Sequence, residues 1–196
     1  MRDRVIRDEI HRDILVPAHH ARIIDTHEFQ RLRNVQQLST CEFVFPSATH
    51  TRFAHSIGAY YLAGELTSSL QEVQPGILSD SDAELVQIGA LLHDIGHPPY
   101  SHLLETPEVF ATFHSHEHWG RVLLESEESE IGKVLADVLG EERKQRLFAI
   151  LDGQNECNGE PIAPFLKEII SSQLDVDRMD YMIRDQANTG AQIGGF

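Results

Sequence analysis

The chain has 196 residues, of which 41% are hydrophobic and 24% charged, a composition that excludes a disordered or collagen-like chain. Sixteen basic and 31 acidic residues give a formal net charge of −15, which disfavours broad nucleic-acid binding but permits a small anionic substrate. No apolar run reaches the roughly 18 residues of a membrane span, and the N-terminus has no signal-peptide core. We therefore expect a cytoplasmic protein without membrane contacts. The two cysteines form no CxxC pair, which fits a reducing compartment.

Helical spacing of apolar residues dominates the chain and predicts an all-α fold. The predicted helices span 24–36, 52–70, 82–95, 115–125, 130–138, 141–151 and 174–187. A strand is expected only near 41–45, as at most a short hairpin, with an extended loop as the alternative. Residues 152–164 are rich in turn formers and predict an exposed loop. We expect residues 1–196 to form one domain that is incomplete after the glycine-rich end at Phe196.

Histidine is the unusual feature of the composition. The chain has 12 histidines, and half of them lie in one short stretch, at His93, His97, His102, His114, His116 and His118. Histidine is the commonest metal ligand and titrates near neutral pH, so its clustering beside acids fits a metal or acid–base site. A surface or internally satisfied position, without an acidic partner in the sequence pattern, is expected for His11, His19, His20 and His27.

The adjacent pair His93-Asp94 ends an apolar helix, because the prolines at 98–99 cannot continue it. Neighbouring helix positions differ by about 100°, so both side chains can face one cavity only from a helix end. His55 and Asp177 complete a set of two histidines and two aspartates. Imidazole and carboxylate ligands together favour one divalent transition metal (Fe, Mn, Zn or Ni) over calcium, with Mg²⁺ as an alternative.

Several ordered motifs extend this pattern along nearly the whole chain. They are RIIDTHEFQRLRNVQQL, FVFPSATHTRFAHSIGAYYLAGEL, LLHDIGHPPYSHLLE, HSHEHWG and LDVDRMDYMIRD. Together they resemble the HD-domain phosphohydrolases, specifically the deoxynucleoside-triphosphate triphosphohydrolase branch. The resemblance implies an HD-domain helical bundle, a metal-dependent enzyme and, in the full-length form, a homo-oligomer.

The resemblance also implies roles for individual residues. The implied metal ligands are His55, His93, Asp94 and Asp177. Phosphate contacts are implied for Arg52 and Arg178, and contacts to the sugar for Gln37, Leu38, Tyr181 and Asp185. A histidine paired with a carboxylate can donate a proton to a leaving group, and the residues suited to this are His97, His102, Glu105, His116 and Glu117. Asp175 and Asp180 lie off the motif position and are expected to be cap or surface acids.

These features predict metal-dependent hydrolysis of a deoxynucleoside triphosphate to the deoxynucleoside and triphosphate. Such a reaction needs neutralised phosphate charge, a positioned water and a protonated leaving group, which a metal, arginines and a histidine can supply. Two alternatives stay open. One is another HD phosphohydrolase that acts on nucleoside monophosphates or signalling nucleotides, and the other is a nucleotide-binding fragment without turnover.

Overall fold

The structure of the protein is a computed structural model that describes residues 2–100, 104 and 114–192. Its longer helices are α3 (Arg52–Val73), α4 (Asp80–Leu92), α5 (His116–Glu125), α6 (Glu130–Leu151) and α8 (Val176–Thr189). Its shorter helices are α1 (Ala18–Ile24), α2 (His27–Gln30) and α7 (Phe165–Ile170), with 3₁₀ turns at Arg31–Asn34 and Cys41–Phe43. Its strands are β1 (Arg4–Asp8), β2 (Arg12–Val16), β3 (Glu156–Cys157) and β4 (Glu160–Pro161). The predicted helical class is confirmed.

The longer helices all begin at a side chain that accepts a backbone N–H of the first turn. Thr51 caps α3, Ser79 caps α4, Ser115 caps α5, Ser129 caps α6 and Asp175 caps α8. A cap of this kind typically stabilises a helix by about 1 kcal/mol. The caps of α3 and α8 also fix where these helices begin, which matters because both first turns carry residues of the predicted site.

The core forms where α3 packs against both α4 and α8, and α6 covers α4 and α1. Ile57 and Tyr60 of α3 meet Leu85, Ile88 and Leu91 of α4 in this core, and all five are buried. Burying an aliphatic or aromatic side chain of this size stabilises the fold by roughly 1.5–3 kcal/mol. The packing therefore holds α3, α4 and α8 together without help from a disulfide, and it brings their ends to one place.

The strands lie elsewhere than the sequence pattern suggested. Residues 41–43 form a 3₁₀ turn, which is closed where Val44 N–H donates to the Cys41 carbonyl at 3.0 Å, so this segment bonds to itself rather than to a partner strand. The hairpin of β1 and β2 forms instead at the N-terminus, with Arg4 opposite Val16 and Asp8 opposite Arg12. Its alternating pattern buries one side of β2 against the core. A second hairpin, formed by the two-residue strands β3 and β4, lies inside the segment 152–164 that the sequence predicts as a loop.

Two breaks divide the predicted helices. The span 24–36 is interrupted at Asp25–Thr26, where the Thr26 hydroxyl donates to the Ile23 carbonyl at 2.8 Å and α2 starts. Gly140 interrupts α6 with a left-handed φ of 73°, which separates the two helices predicted at 130–138 and 141–151. Among the described helices, none combines the length and the apolar character needed to cross a membrane.

Candidate metal centre and cavity

The first turn of α3 provides two residues of the site. The capped helix begins at Arg52, and His55 follows three residues later, so both side chains lie on the same face of its first turn. His55 is fully buried and Arg52 is nearly so. The position of both residues is therefore set by helix geometry rather than by a loop.

The turn after α4 provides the next two. α4 ends at Leu92, three residues before the predicted helix end at 95, so His93 and Asp94 lie in the turn that follows the helix. Arg31 anchors this turn, because its guanidinium donates to the Ile95 carbonyl at 2.6 Å and to the His97 carbonyl at 2.7 Å. Backbone atoms that would otherwise face the core unpaired are thereby satisfied.

Gly96 lets α5 approach this turn. A Cβ at residue 96 would lie 2.0 Å from the carbonyl oxygen of His116 and 2.3 Å from the backbone nitrogen of Gly120. Both contacts are with backbone, which cannot rotate away, so only glycine fits here. The close approach brings the His116 ring onto His97, with ring centroids 3.7 Å apart and the planes nearly parallel.

Three side chains, one each from α3, the α4 turn and α8, bring ligand atoms within 4.8 Å of one another, and Asp94 lies beside them, grouped with His97 and His116. His55 Nε2 lies 3.0 Å from Asp177 Oδ1 and 3.3 Å from His93 Nε2. Asp177 Oδ1 and His93 Nε2 are 3.5 Å apart. Asp94 adds Oδ1 at 3.4 Å from His93 Nε2 and Oδ2 at 3.7 Å from His55 Nε2. Ligand atoms that share one ion at about 2.0–2.2 Å lie roughly 3.0–3.5 Å apart in octahedral or tetrahedral geometry. This arrangement can hold a metal ion.

The hydrogen bonds behind the two histidines favour the same conclusion. Asp180 Oδ2 lies 2.8 Å from His55 Nδ1, and the Ala90 carbonyl lies 2.7 Å from His93 Nδ1. Each acceptor holds the hydrogen on Nδ1, so the Nε2 lone pair of each ring faces the shared point. A histidine that binds metal is usually oriented in this way by a carboxylate or a carbonyl.

Asp180 is therefore wrongly described as a surface acid by the sequence pattern. It is completely buried and also contacts His11 Nε2 at 2.7 Å, while Arg184 donates to both of its oxygens at 2.9 Å. Gly58 makes room for it, because a Cβ there would lie 1.8 Å from Asp180 Oδ1. His11, for which the sequence pattern shows no acidic partner, therefore has one in the buried Asp180. Asp175, by contrast, is a helix cap as expected.

The charges at this point favour a cation. Burial disfavours protonation of His55, but its bonds to Asp177 and Asp180 outweigh burial and raise the pKa of His55 to about 10. Burial also opposes ionisation of Asp94, yet His93, His97 and Arg52 hold the pKa of that carboxyl well below its usual range. The carboxylates therefore attract positive charge at this point. Without metal the imidazole rings carry that charge as protons, and a divalent ion that displaces those protons can provide it instead.

A cavity of about 500 Å³ opens onto these residues. A volume of this size is in the range that holds a small-molecule ligand. Of the predicted residues, the cavity is lined by Gln37, Arg52, His93, Asp94, His97, His116, Glu117, Asp177 and Tyr181. Lys167 and Arg121 also line it, although the sequence did not mark either one. Within the described residues, Gln37 Oε1 is buried beside the cavity without a hydrogen-bond donor.

The other described residues that the sequence predicts for the site do not line the cavity. Arg178 points to the start of α8, where its Nε donates to the Ser172 carbonyl at 3.1 Å, and it does not line the cavity. Leu38 is partly buried next to Gln37, outside the cavity lining. Asp185 is buried and lies 2.7 Å from His50 Nε2, also outside the lining. His102 and Glu105 fall outside the described residues.

His97 and His116 differ in their surroundings although their rings stack. His97 is buried, and burial lowers its pKa to about 4 against the opposing effect of Asp94. His116 is partly exposed, and its Nε2 lies 3.4 Å from Glu117 Oε1 at the cavity wall. His97 Nε2 lies 3.4 Å from Asp94 Oδ1, so the stacked rings lie beside the buried carboxylate and on the cavity lining.

Comparisons with known proteins agree with this architecture. A family model described as HD domain matches residues 52–185. An uncharacterised protein of Methanocaldococcus jannaschii is 39% identical over 191 residues, covering 97% of this chain and 35% of that protein. Deoxynucleoside triphosphate triphosphohydrolase SAMHD1 of Homo sapiens is 38% identical over 214 residues, covering 96% of this chain and 34% of that protein.

A solved structure shares the fold. The crystal structure of a phosphohydrolase from Bacteroides thetaiotaomicron has a TM-score of 0.79 to this chain at 33% identity, and the match covers 95% of this chain and 43% of that one. The chain spans 35% and 34% of the two curated relatives named above, so the match concerns one part of each. Since the family model covers most of the sequence, this chain belongs to the HD domain family, within the HD phosphohydrolase superfamily.

Proposed function

We propose that this chain carries the catalytic centre of a metal-dependent hydrolase that converts a deoxynucleoside triphosphate to the deoxynucleoside and triphosphate. The observation that carries the proposal is the convergence of His55, His93 and Asp177, whose ligand atoms lie within 3.5 Å of one another beside the cavity. The similarity to SAMHD1, which is named for this reaction, supports the choice of substrate.

The proposed ligands are His55, His93, Asp94 and Asp177. Their nitrogen and oxygen donors fit a transition metal such as Fe, Mn, Zn or Ni. When bound there, the metal supplies Lewis-acid polarisation of the phosphate and a more acidic water. All other steps fall to side chains of this chain.

The proposed phosphate contacts are cationic side chains at the cavity. Arg52 borders both Asp94 and the cavity, so one guanidinium can hold the ligand set in place and donate to a phosphate oxygen. Lys167 lies on the same cavity lining and can add a point charge for the triphosphate chain. Arg178 is the weaker candidate, because its guanidinium is held by the Ser172 carbonyl and lies 3.7 Å from Asp175.

His116 is the proposed proton donor for the leaving group. It is partly exposed to the cavity, and its Nε2 lies 3.4 Å from the Glu117 carboxylate. Loss of a general acid typically lowers turnover by about 10²–10⁴-fold. The stacked ring of His97 holds His116 in position.

Gln37 and Tyr181 are proposed to select the sugar. The unpaired Gln37 Oε1 can accept a hydrogen bond from a substrate hydroxyl, which resolves the cost of a buried acceptor without a donor. The Tyr181 ring lies with its centroid 6.5 Å from that of His55, at the wall of the cavity. Because Tyr181 lines the cavity, its ring can exclude an additional 2′-hydroxyl by steric contact.

A product assay tests the proposal. The metal-loaded chain is incubated separately with dGTP, GTP, dGMP and a cyclic dinucleotide, and the products are separated by ion-exchange chromatography. We expect deoxyguanosine and inorganic triphosphate from dGTP. Release of phosphate from dGMP or cleavage of the cyclic dinucleotide, without triphosphate from dGTP, would replace the proposal with another HD phosphohydrolase. Metal-dependent dGTP binding without any product would indicate a nucleotide-binding fragment.

A further inference from the structure

A second group of histidines meets a carboxylate on the other side of α4. His19 Nε2 lies 2.8 Å from Glu84 Oε1, and His20 Nε2 lies 3.0 Å from the same oxygen. These three ligand atoms all lie within 4.8 Å of one another. Consecutive histidines at the start of α1 thus converge on one carboxylate of α4, and no residue is shared with the metal centre described above.

His20 and Glu84 each have a second hydrogen-bond partner, on the atom that does not face the cluster. His20 is buried, and its Nδ1 lies 2.8 Å from the Tyr60 hydroxyl of α3. Glu84 uses its other oxygen to accept from Arg143 Nη2 of α6 at 2.5 Å. A hydrogen-bonded partner on the second nitrogen of a histidine, and on the second oxygen of a carboxylate, is the arrangement that usually supports a metal ligand. Because these partners come from α3 and α6, the positions of His20 and Glu84 are fixed by the helix packing.

His19, the third residue of the cluster, leaves one side of it exposed to solvent. The His19 side chain is 50% exposed, whereas that of His20 is 3% exposed. Beside the cluster, Tyr60 and Glu84 line a groove of about 530 Å³ whose lining also includes Asp13, Glu65 and Asp80. Carboxylates along the groove attract cations towards the cluster. An ion bound there can complete its coordination with water from the open side.

We propose that His19, His20 and Glu84 form a second transition-metal site, with two imidazoles and one carboxylate as ligands and water in the remaining positions. Zn²⁺, Co²⁺ and Ni²⁺ are the ions that suit this ligand set. Burial lowers the pKa of His20, which keeps this ring in the neutral form that metal binding requires. An ion at this place joins α1 to α4 and stabilises the folded chain through a contact that the catalytic centre does not use.

Zn²⁺ alone is the probe for the test. The full chain is stripped with a chelator and dialysed against Zn²⁺, and the bound metal per chain is measured by elemental analysis for the wild type, His19→Ala and Glu84→Gln. His27→Ala is the matched control, because that side chain is 96% exposed and lies 4.0 Å from its nearest carboxylate. Each variant is also prepared with Asp177→Ala, so that zinc at the catalytic centre is counted separately.

We expect His19→Ala and Glu84→Gln each to lose one zinc per chain in both backgrounds, while His27→Ala keeps the wild-type amount. Zn²⁺ should raise the melting temperature of the wild type by more than that of His19→Ala. Without metal, His19→Ala and His27→Ala should melt alike, because both side chains are accessible to solvent. Tyr60→Phe should bind zinc at this site about 10–100-fold more weakly. Equal zinc content in His19→Ala and the wild type, in both backgrounds, would overturn the proposal.

Discussion

At the scale of single residues, the proposed metal centre depends on a buried acid behind it, because Asp180 Oδ2 lies 2.8 Å from His55 Nδ1. The sequence motifs predict His55, His93, Asp94 and Asp177 as one set, and the structure places their donor atoms close to one another. The same motifs predict a cap or surface position for Asp180, which is completely buried. Its partners His55 and His11 are 125 and 169 residues away, so no local pattern could reveal the contacts.

Distant contacts of the histidines outside the 93–118 stretch are likewise not visible in the sequence. His19 and His20 have no acidic neighbour in sequence, but Glu84 reaches both from 65 and 64 residues away. The pattern of residue types along the sequence indicates only contacts between residues within one or two helical turns of each other. Contacts made when α1 packs beside α4 depend on the tertiary arrangement and become visible only in the folded chain.

Replacing Asp180 should weaken the metal centre without touching a proposed ligand. In Asp180→Asn, the side chain still accepts from His55 Nδ1 but no longer carries a charge, so His55 becomes a poorer donor. We expect metal affinity to fall about 10–100-fold, measured by competition with a chelator. Asp175→Asn is the control, because asparagine caps a helix about as well as aspartate. Unchanged metal affinity in Asp180→Asn would show that the buried carboxylate does not support the centre.

Replacing Tyr181 should relax the choice of sugar. Forcing the 2′-hydroxyl into a tight, unpaired position costs roughly 1–3 kcal/mol, so we expect dGTP to be preferred over GTP by about 5- to 150-fold in kcat/KM. Tyr181→Ala should bring the two values together, and Tyr181→Phe, which keeps the ring, should retain the preference. Equal kcat/KM for dGTP and GTP in the wild type would remove Tyr181 from this role.

At the scale of elements, long amphipathic segments were predicted well and short ones poorly. The helix predicted at 115–125 is α5 at His116–Glu125, and the gap left between two predicted helices is the break at Gly140. The hairpins were missed although each had a signal. Ile14 and Val16 stand two residues apart in β2, which is the spacing of one strand face, and Asn158-Gly159 is a typical two-residue hairpin turn. Segments this short depend on what they pack against, so their pattern alone is ambiguous.

The contact between α5 and the turn after α4 can be tested at its two glycines. Gly96→Ala places a Cβ 2.0 Å from the His116 carbonyl oxygen, so α5 must move away. We expect a loss of about 1–3 kcal/mol in the free energy of unfolding and a marked loss of turnover, because His116 moves with α5.

Gly120→Ala is the matched control for this contact. Its added Cβ would meet its nearest neighbours at 3.5 Å, which is ordinary packing. Alanine also favours a helix over glycine by about 0.8–1.0 kcal/mol. We expect Gly120→Ala to retain activity and to be at least as stable as the wild type. Equal urea unfolding curves for Gly96→Ala and Gly120→Ala would contradict the proposed close approach.

At the scale of the whole molecule, the first hairpin and the last helix form one unit. Arg184 of α8 is fully buried, and its Nη1 donates to Asp8 Oδ2 of β1 at 2.9 Å, across 176 residues of sequence. The same guanidinium donates to Asp180, which supports His55. These contacts tie the fold of the N-terminus to the proposed metal centre.

This link predicts how stability changes in acid. Burial raises the pKa of Asp8, but the hydrogen bonds and charge of Arg184 outweigh burial, so the pKa lies below the ordinary 3.8. A group with a lowered pKa in the folded state contributes stability above its unfolded pKa and loses it as pH falls through the folded one. Asp8 should therefore stabilise the chain near neutral pH and contribute progressively less below about pH 4.

Urea unfolding of Asp8→Asn at several pH values checks this. Near neutral pH the variant should be less stable than the wild type, and the difference should shrink as pH falls below about 4. Asp13→Asn is the control on the same hairpin, because Asp13 pairs with Arg7 on the exposed surface and such pairs contribute little. A difference between Asp8→Asn and the wild type that stays constant with pH would contradict the account.

The most direct test of the metal centre measures bound metal and turnover together in Asp177→Ala. This change removes Oδ1, which lies 3.0 Å from His55 Nε2 and 3.5 Å from His93 Nε2, while leaving the capped start of α8 intact. Asp175→Asn on the same turn is the control. We predict that Asp177→Ala holds one metal ion fewer per chain than the wild type and has no dGTP hydrolysis, and that Asp175→Asn keeps both. Full metal content or wild-type turnover in Asp177→Ala would contradict the proposed centre.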